Sequence, residues 1–230
     1  MTSKITICIP TLNRYDLLSK CILSTLTGTV TPKKISIIDN GHIMPDGIRQ
    51  YIKDACDGYD VELTIYTPIQ NLGVAKSWNW FLDVEKHPMI ICNDDIEFGK
   101  YDIAKFVQAY YSSSAQFFFT DNIDPLNMFS CFMPTQEVVR LVGLFDETFY
   151  PAYFEDNDYA RRMYLKGILN QPILTEINHF GSATIKQYDY EEMTKHHESF
   201  RNNKQYYINK WGGEPHNERF TTPFGDIAND

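Results

Sequence analysis

The chain has 230 residues, 43% of them hydrophobic and 22% charged, with a formal net charge of -9. This is the make-up of an ordinary soluble globular protein, with enough apolar side chain for one sizeable core or two small ones. The acidic balance offers no overall positive field to a polyanion, so it argues against nucleic acid as a partner. Any phosphate-bearing ligand has to be held by local groups or by a bound cation.

In chain order, "KITICIP" is a short apolar run closed by Pro10, and "RYDLLSKCILSTL" sets Leu17, Leu18, Cys21, Ile22 and Leu26 at helical spacing. "KKISIIDNG" repeats the strand and stops in an Asp-Asn-Gly turn, "DGIRQYIKDAC" reads as a second helix, and "VELTIYT" as a third strand. "NLGVAKSWNWFLDV" is a loop entering a helix, and "HPMIICNDD" the next strand. Strands alternating with helices over this stretch predict an α/β fold with a largely parallel, doubly wound sheet.

The second half is less regular. "YDIAKFVQAYY" predicts a helix, "AQFFFTD" and "MFSCFMPT" short strands, "TQEVVRLVG" a short helix stopped by Gly143, and "YFEDNDYARRMYLKG" a helix ending at Gly167. "NQPILTEINHFG" reads as one returning strand. From Tyr188 the polar and aromatic composition predicts a C-terminal helix and an extended tail.

The five cysteines lie far apart, with Cys8 and Cys92 inside apolar runs, and are read as reduced and structural. The N-terminus enters a strand without the apolar stretch of a signal peptide. No window approaches the roughly 20 apolar residues of a spanning helix. The expected location is a cytosol, from which membrane-bound or glycan acceptors can still be reached.

Four segment ends carry polar residues that a parallel sheet would bring toward one edge: "PTLNR", "DNG", "NDD" and "NHFGS". Asp39, followed by Asn-Gly, is either a turn former or an acceptor for a nucleobase N–H. The Gly-rich phosphate fingerprints G-x-G-x-x-G and G-x-x-x-x-G-K-[ST] are absent. A diphosphate then calls for a metal, and Mg²⁺ or Mn²⁺ is shared between a carboxylate and diphosphate oxygens, with an imidazole shifting the preference toward Mn²⁺. Asp95 and His179 are the candidate pair, although a single His is also a common packed residue. His196 and His197 read as a solvated helix face. "FEDNDYARR" is either a charged helix start favoured by the macrodipole or, within the aromatic setting "FYPAYFED", a partly desolvated base.

The ordered set "ICIPTLNR", "IIDNG", "NLGVAKSWN", "IICNDD", "GLFDETFYPAYFEDNDYARRMYLKG" and "INHFGSAT" resembles the family 2 glycosyltransferases of the GT-A fold, over residues 4 to about 185. The tail "NKQYYINKWGGEPHNERFTTPF" looks like that of small stand-alone bacterial and viral members. The resemblance implies a Rossmann-like, mostly parallel sheet flanked by helices, with a small antiparallel acceptor-side subregion. It implies that Pro10, Thr11, Asn13 and Arg14 line a nucleotide pocket, that Asp39 contacts the base, and that Asn71, Gly73, Lys76 and Asn79 edge the nucleotide and diphosphate. "NDD" takes the place of the D-x-D signature. Asn93 replaces its first Asp, Asp94 stands between, and Asp95 is the metal ligand, with His179 completing the shell around Mn²⁺ or Mg²⁺.

Asp156 matches the family's base, which takes a proton from an acceptor hydroxyl in a single, inverting displacement. Glu155 binds or orients the acceptor, and Asp158 with Arg161 forms an internal helix pair. The implied donor is a nucleotide-diphosphate sugar, UDP before dTDP or GDP, and the acceptor a glycan or glycoconjugate hydroxyl. The expected organisation is a single domain over 1–230: a nucleotide-sugar half to about 100, an acceptor and catalytic half over about 101–187, and a C-terminal helix and tail from about 188. The "WGG" tail shapes the acceptor pocket or mediates self-association. A nucleotidyltransferase would need a basic Gly-rich loop that "PTLNRYD" is not. The other reading is a catalytically silent module of the same fold that binds sugar nucleotides or a protein; loss of the "ED" carboxylate would suggest it, and Asp156 is present.

Overall fold

The computed structural model describes residues 4–86, 88–121, 128–181 and 189–225. Residues 182–184 of the last motif, the expected start of the C-terminal segment at 188, and 226–230 lie outside these. Four strands, β1 (Thr6–Thr11), β2 (Lys34–Asp39), β3 (Glu62–Tyr66) and β4 (Met89–Cys92), alternate with helices α1 (Tyr15–Leu26), α2 (Asp46–Gly58) and α3 (Gly73–Val84). Then follow β5 (Ile96–Glu97), α4 (Asp102–Ser112), β6 (Phe117–Thr120), β7 (Cys131–Pro134), α5 (Gln136–Val142), α6 (Glu155–Leu165), β8 (Asn170–Ile173), β9 (Asn178–His179) and α7 (Tyr190–Trp211).

Seven strands form the central sheet in the order β3-β2-β1-β4-β7-β6-β8, and β5 pairs with β9 in a second, two-stranded sheet. The first four run parallel, β7 is antiparallel to both β4 and β6, and β8 is parallel to β6. The sheet is therefore mostly parallel, as expected, and mixed at one side.

Its strands are apolar on both faces because both are covered. Ile5, Ile7, Ile9, Ile35, Ile37, Ile90 and Cys92 pack with Leu18 and Ile22 of α1, Ile52 of α2 and Phe106 of α4. The alternate residues Cys8, Ile38, Met89, Ile91, Phe117 and Phe132 pack with Trp78 and Phe81 of α3 and Tyr159 and Met163 of α6. This period-two division is the pleat itself. All five cysteines are free and buried.

The expected single strand over "NQPILTEINHFG" is instead two. Pro172 sits in β8, the outermost strand, where no further neighbour needs its missing N–H. The chain then turns: the Thr175 and Thr120 hydroxyls are hydrogen-bonded, and the Glu176 N–H donates to Asp102. This turn releases Asn178 and His179 to pair with Glu97 and Ile96.

Helix α7 ends on a third cluster in which Tyr207 and Trp211 pack on Phe149 and Phe154. Its Lys210, nearly buried, lies 2.7 Å from Asp146 and 2.6 Å from Asp158. Asp158 also accepts from Arg162 and from the Trp211 indole, both at 2.9 Å. The expected Asp158–Arg161 pair is thus replaced by Asp158–Arg162, since a spacing of four sets two residues on one helix face. Arg161 turns toward Glu218 and the Phe220 carbonyl. Of the two histidines read as solvated, His197 is exposed but His196 is half-buried against Tyr153.

Burial alone would raise the Asp146 carboxyl, but hydrogen bonds from Lys210 and Thr148 bring it down to about 2. A depressed carboxylate stabilises the fold above its unfolded value near 4, and that contribution is lost as pH falls toward 2. Lys210→Met, which takes the ion-pair partner from Asp146 and leaves Asp158 to Arg162 and Trp211, is expected to cost roughly 3–5 kcal/mol in urea unfolding. It should also flatten the stability–pH curve between about pH 4 and 2; a wild-type curve in this variant would contradict the account.

Candidate active site

Because β1, β2 and β4 are parallel, their C-terminal ends open on one edge of the sheet. Thr11 pairs in register with Asp39, and the Asn40 N–H donates to the Thr11 carbonyl at 2.8 Å. The turn after β2 comes so close to the loop after β1 that a Cβ on Gly41 would lie 1.6 Å from the Leu12 carbonyl oxygen. The glycine of "DNG" is required by that approach.

Asp39 is 1% exposed. One of its oxygens accepts from the Tyr15 hydroxyl at 2.8 Å and the His42 N–H at 3.2 Å, while the other has no hydrogen-bond partner and faces Arg49 Nη2 at 3.8 Å. Asn13 Oδ1 is likewise buried without a partner. Such atoms are costly unless a ligand or water completes them. Pro10 belongs to β1, opposite Ile38, and presents no side-chain donor.

The end of β4 reaches the same edge. The Thr11 hydroxyl donates to Asp94 Oδ2 at 2.6 Å. Burial pushes the Asp94 carboxyl up to about 7, with Asp95 adding to the rise and the Thr11 bond and Arg14 opposing it. Arg14, just before α1, pairs with Asp16 at 2.9 Å and lies within the electrostatic reach of Asp94 and Asp95. The Asn93 backbone is fastened through its N–H to the Ser130 carbonyl at 2.9 Å.

Asp95 immediately precedes β5 and the second sheet. The Phe180 N–H donates to its carbonyl, and His179 Nε2 lies 3.1 Å from its Oδ1, the two side chains being 15% and 11% exposed. Two residues 84 positions apart are therefore set side by side by a two-residue strand pair. One carboxylate and one imidazole fit a hard or borderline divalent ion such as Mg²⁺ or Mn²⁺. Among the described residues no group of three or more His, Cys, Asp or Glu could enclose a metal. The pair fits an open site whose remaining positions go to ligand oxygens, and does not fit a closed structural one.

The start of α3 borders this edge. The Leu72 N–H donates to Asn40 Oδ1, and Gly73 N–H to Asn71 Oδ1. Gly73 has φ +72°, and a Cβ there would meet the Pro151 carbonyl oxygen at 2.7 Å, so glycine is needed twice over. The Val74 N–H donates to that carbonyl at 2.8 Å, which ties the loop preceding α6 to the start of α3. Lys76 is half-exposed and lies 3.9 Å from Glu147. The Asn79 amide, 5% exposed, is engaged with Phe145 N–H, Phe145 carbonyl and Glu147, so its polar groups are spent on the 145–147 loop.

Glu155 and Asp156 open α6. Glu155 is 5% exposed, and its Oε2 has no partner. Burial, and then the Asp156 charge, raises its carboxyl well above the usual range. Asp156 is half-buried and accepts from the Asn157 N–H at 2.7 Å; burial raises it too. It does not cap the helix, since the cap position is Phe154. Two neighbouring carboxyls held above the ordinary range at the start of α6 are suited to taking up protons.

The family is decided by the sequence profile of "Glycosyl transferase family 2", which matches residues 6–191. This chain is a family 2 glycosyltransferase. No curated protein matches it significantly. Among solved structures it resembles S. aureus TarS 1-349 in complex with UDP-GlcNAc, with a TM-score of 0.61 at 13% identity, over 94% of this chain and 74% of that one. It resembles GalNAc-T7 with UDP, GalNAc and Mn²⁺ at 0.60 and 11%, over 90% of this chain and 50% of that one. It resembles the mannosyltransferase PcManGT from Pyrobaculum calidifontis, in complex with GDP-Man and Mn²⁺, at 0.59 and 13%. The family 2 chain covers 74% of its own length in that last match and spans 55% of the mannosyltransferase. The shared fold is GT-A: a mostly parallel seven-stranded sheet flanked by helices, with a small antiparallel sheet beside it. Among the described residues, no helix is long and apolar enough to cross a membrane.

Sequence reasoning passed over two residues of this site. Tyr15 closes one side of Asp39, and Asp102 accepts from Gly99 N–H at 2.7 Å and Glu176 N–H at 2.9 Å, joining the exit of β5 to the entry of β9. Neither carries a local signal for its long-range role, because Tyr15 acts on Asp39, 24 residues along, and Asp102 on Glu176, 74 residues along. Asp102→Ala leaves two backbone donors unpaired and is expected to cost roughly 3 kcal/mol in urea unfolding. It should also shift the His179 imidazole resonances as its contact with Asp95 loosens; unshifted resonances would show that Asp102 does not set this pair.

Proposed function

We propose that this family 2 glycosyltransferase moves a sugar from a nucleoside diphosphate donor to an acceptor hydroxyl of a glycan or glycoconjugate, with inversion and with a divalent metal. The carrying observation is the 3.1 Å pair of Asp95 and His179 at the edge that also holds the buried, unsatisfied oxygens of Asp39 and Asn13. In this reading Asp39 accepts from a base N–H, which favours uracil as a base with one such donor beside its carbonyls. Thr11, Asn13 and Arg14 line the nucleotide, and Asn71, Gly73 and Lys76 edge the diphosphate. Asn93 offers an amide to the ribose in place of a carboxylate.

Asp95 and His179 would hold Mn²⁺ or Mg²⁺, which when bound neutralises charge on the departing diphosphate. Asp156 takes the proton from the acceptor hydroxyl as that oxygen attacks the anomeric carbon and the diphosphate leaves from the opposite face. Glu155, raised further and buried behind it, orients Asp156 or the acceptor. The chain acts as one catalytic unit in a cytosol, with the region after 187 serving the acceptor side.

Asp156→Asn keeps the shape and removes the proton acceptor. Donor affinity should stay near wild type while transfer falls by about 10² to 10⁴. Sugar transfer followed by NMR of the product's anomeric proton checks both catalysis and inversion; retained configuration, or wild-type turnover in the variant, would refute this assignment. A raised base is active only when deprotonated, so kcat should be lost as pH falls through a value above the ordinary carboxylate range near 4. An acid limb at or below that range would contradict the buried base.

The two ends of the donor separate in a second experiment. Asp39→Ala should weaken UDP binding by calorimetry with or without Mn²⁺, whereas Asp95→Ala should weaken only the metal-linked part and abolish transfer. Equal loss in both variants under both conditions, or full turnover in excess EDTA, would overturn the division of roles.

A further inference from the structure

The family match ends at residue 191, the second residue of α7, yet the rest of this helix is fastened to the turn that delivers Glu155 and Asp156. One stripe of α7 lies on that turn. His196 packs edge-on to Tyr153, Phe200 on both Tyr153 and Phe154, and Tyr207 on Phe154. With Asn203 between the last two, the spacing of four, three and four is that of a single helix face.

Asn203 differs from the other three in what it touches. It is 4% exposed, and its Nδ2 donates to the backbone carbonyls of Ala152 at 2.8 Å and Tyr153 at 3.3 Å. Those carbonyls belong to a turn with two consecutive left-handed residues, Tyr153 at φ 78° and Phe154 at φ 72°. Bulky L-residues rarely adopt this conformation, and it persists only where the surroundings over-determine it. Phe154 is also the residue that precedes α6, with no side-chain cap bond. The direction in which the first turn of α6 leaves, and hence the place of Asp156, follows from this strained pair.

We infer that Asn203 is a positioning residue for Asp156: by holding the Ala152 and Tyr153 carbonyls it fixes the left-handed turn that aims the first turn of α6. The inference rests on the reading of Asp156 as the general base. It gives the C-terminal helix a defined part in the reaction, through a hydrogen bond to backbone rather than through contact with substrate. A misplacement of about 1 Å at a reacting group is enough to lower a rate by about 10²-fold.

The test uses the full chain carrying Asn203→Ala, and Asn203→Asp, which keeps the shape but turns an acceptor toward the two carbonyls. Glu85→Gln, which weakens the buried pair with Lys34 at the start of β2, the opposite end of the strands from this turn, is the stability control. Hydrogen exchange is read over residues 152–158, UDP affinity by calorimetry with Mn²⁺, and kcat with the nucleotide sugar that the wild type turns over. The expected result is faster exchange over 152–158 and a fall in kcat of about 10- to 10²-fold in both Asn203 variants. UDP affinity should hold, and Glu85→Gln should keep its kcat even where its melting temperature falls as far. Unchanged exchange over 152–158 overturns the inference whatever the activity, as does a loss of UDP affinity that matches the loss of kcat. Faster exchange with undiminished kcat shows that Asn203 holds the turn without positioning a base, and also overturns it. Should Asp156→Asn retain full activity, the general-base reading itself fails, and the exchange data separate that outcome from a failure of Asn203 to hold the turn.

Discussion

Everything in the candidate site depends on β1 being hydrogen-bonded in parallel on both sides. Parallel neighbours β2 and β4 release their chains at the same edge, so Thr11, Asp39, Asp94 and Asp95 meet although their sequence positions are widely separated. The arrangement is stiff because each of these strands is buried on both faces, with isoleucines turned alternately toward the two helix layers. Polar residues at such an edge are half in the core and half at its rim. That position accounts for the rise of the Asp94 carboxyl and for the unsatisfied oxygens of Asp39 and Asn13.

The second half of the chain solves a different problem, which is to set two short segments against that edge. One is the β5–β9 pair, whose two residues per strand would not be stable alone. It is held by the Asp102 carboxylate bonding Gly99 and Glu176 at its open end. The other is the left-handed turn before α6, braced by α7. Helix α7 is in turn anchored by Lys210 and Trp211 on Asp146 and Asp158. Buried ion pairs of this kind add little net stability, but they leave few alternative arrangements once their partners are in place. The acidic pair Glu155–Asp156 is therefore carried on a support that lies outside the part of the chain matched by the family.

The first hundred residues were legible because both periodicities are strong there: isoleucine-rich strands ending in Thr11, Asp39 and Cys92, and helices with apolar residues at threes and fours. The mixed side of the sheet was not, since β6, β7 and β8 are four residues each and their direction is a matter of tertiary pairing. The split of "NQPILTEINHFG" turns on a buried carboxylate at Asp102, more than 70 residues upstream, which no local pattern announces. Asp95 and His179 could be named from residue type and family likeness, but their adjacency comes from a strand pair too short to have a period. Asn79 illustrates the opposite case: chosen for its place in a motif, it has its amide fully occupied by the 145–147 loop. Asn203 and Tyr15 were invisible because each acts on a residue from another part of the chain.

The central claim is that Asp95 and His179 form the protein's share of an open metal site completed by a nucleotide diphosphate. Pulsed electron paramagnetic resonance of Mn²⁺ added to the protein with UDP, comparing unlabelled protein with protein carrying ¹⁵N-histidine, tests it most directly. The account predicts a single bound Mn²⁺ showing coupling to one imidazole nitrogen and to phosphorus. The nitrogen coupling should change with the label and vanish in His179→Ala. Mn²⁺ coupled to phosphorus alone, or bound equally well without UDP, would contradict it.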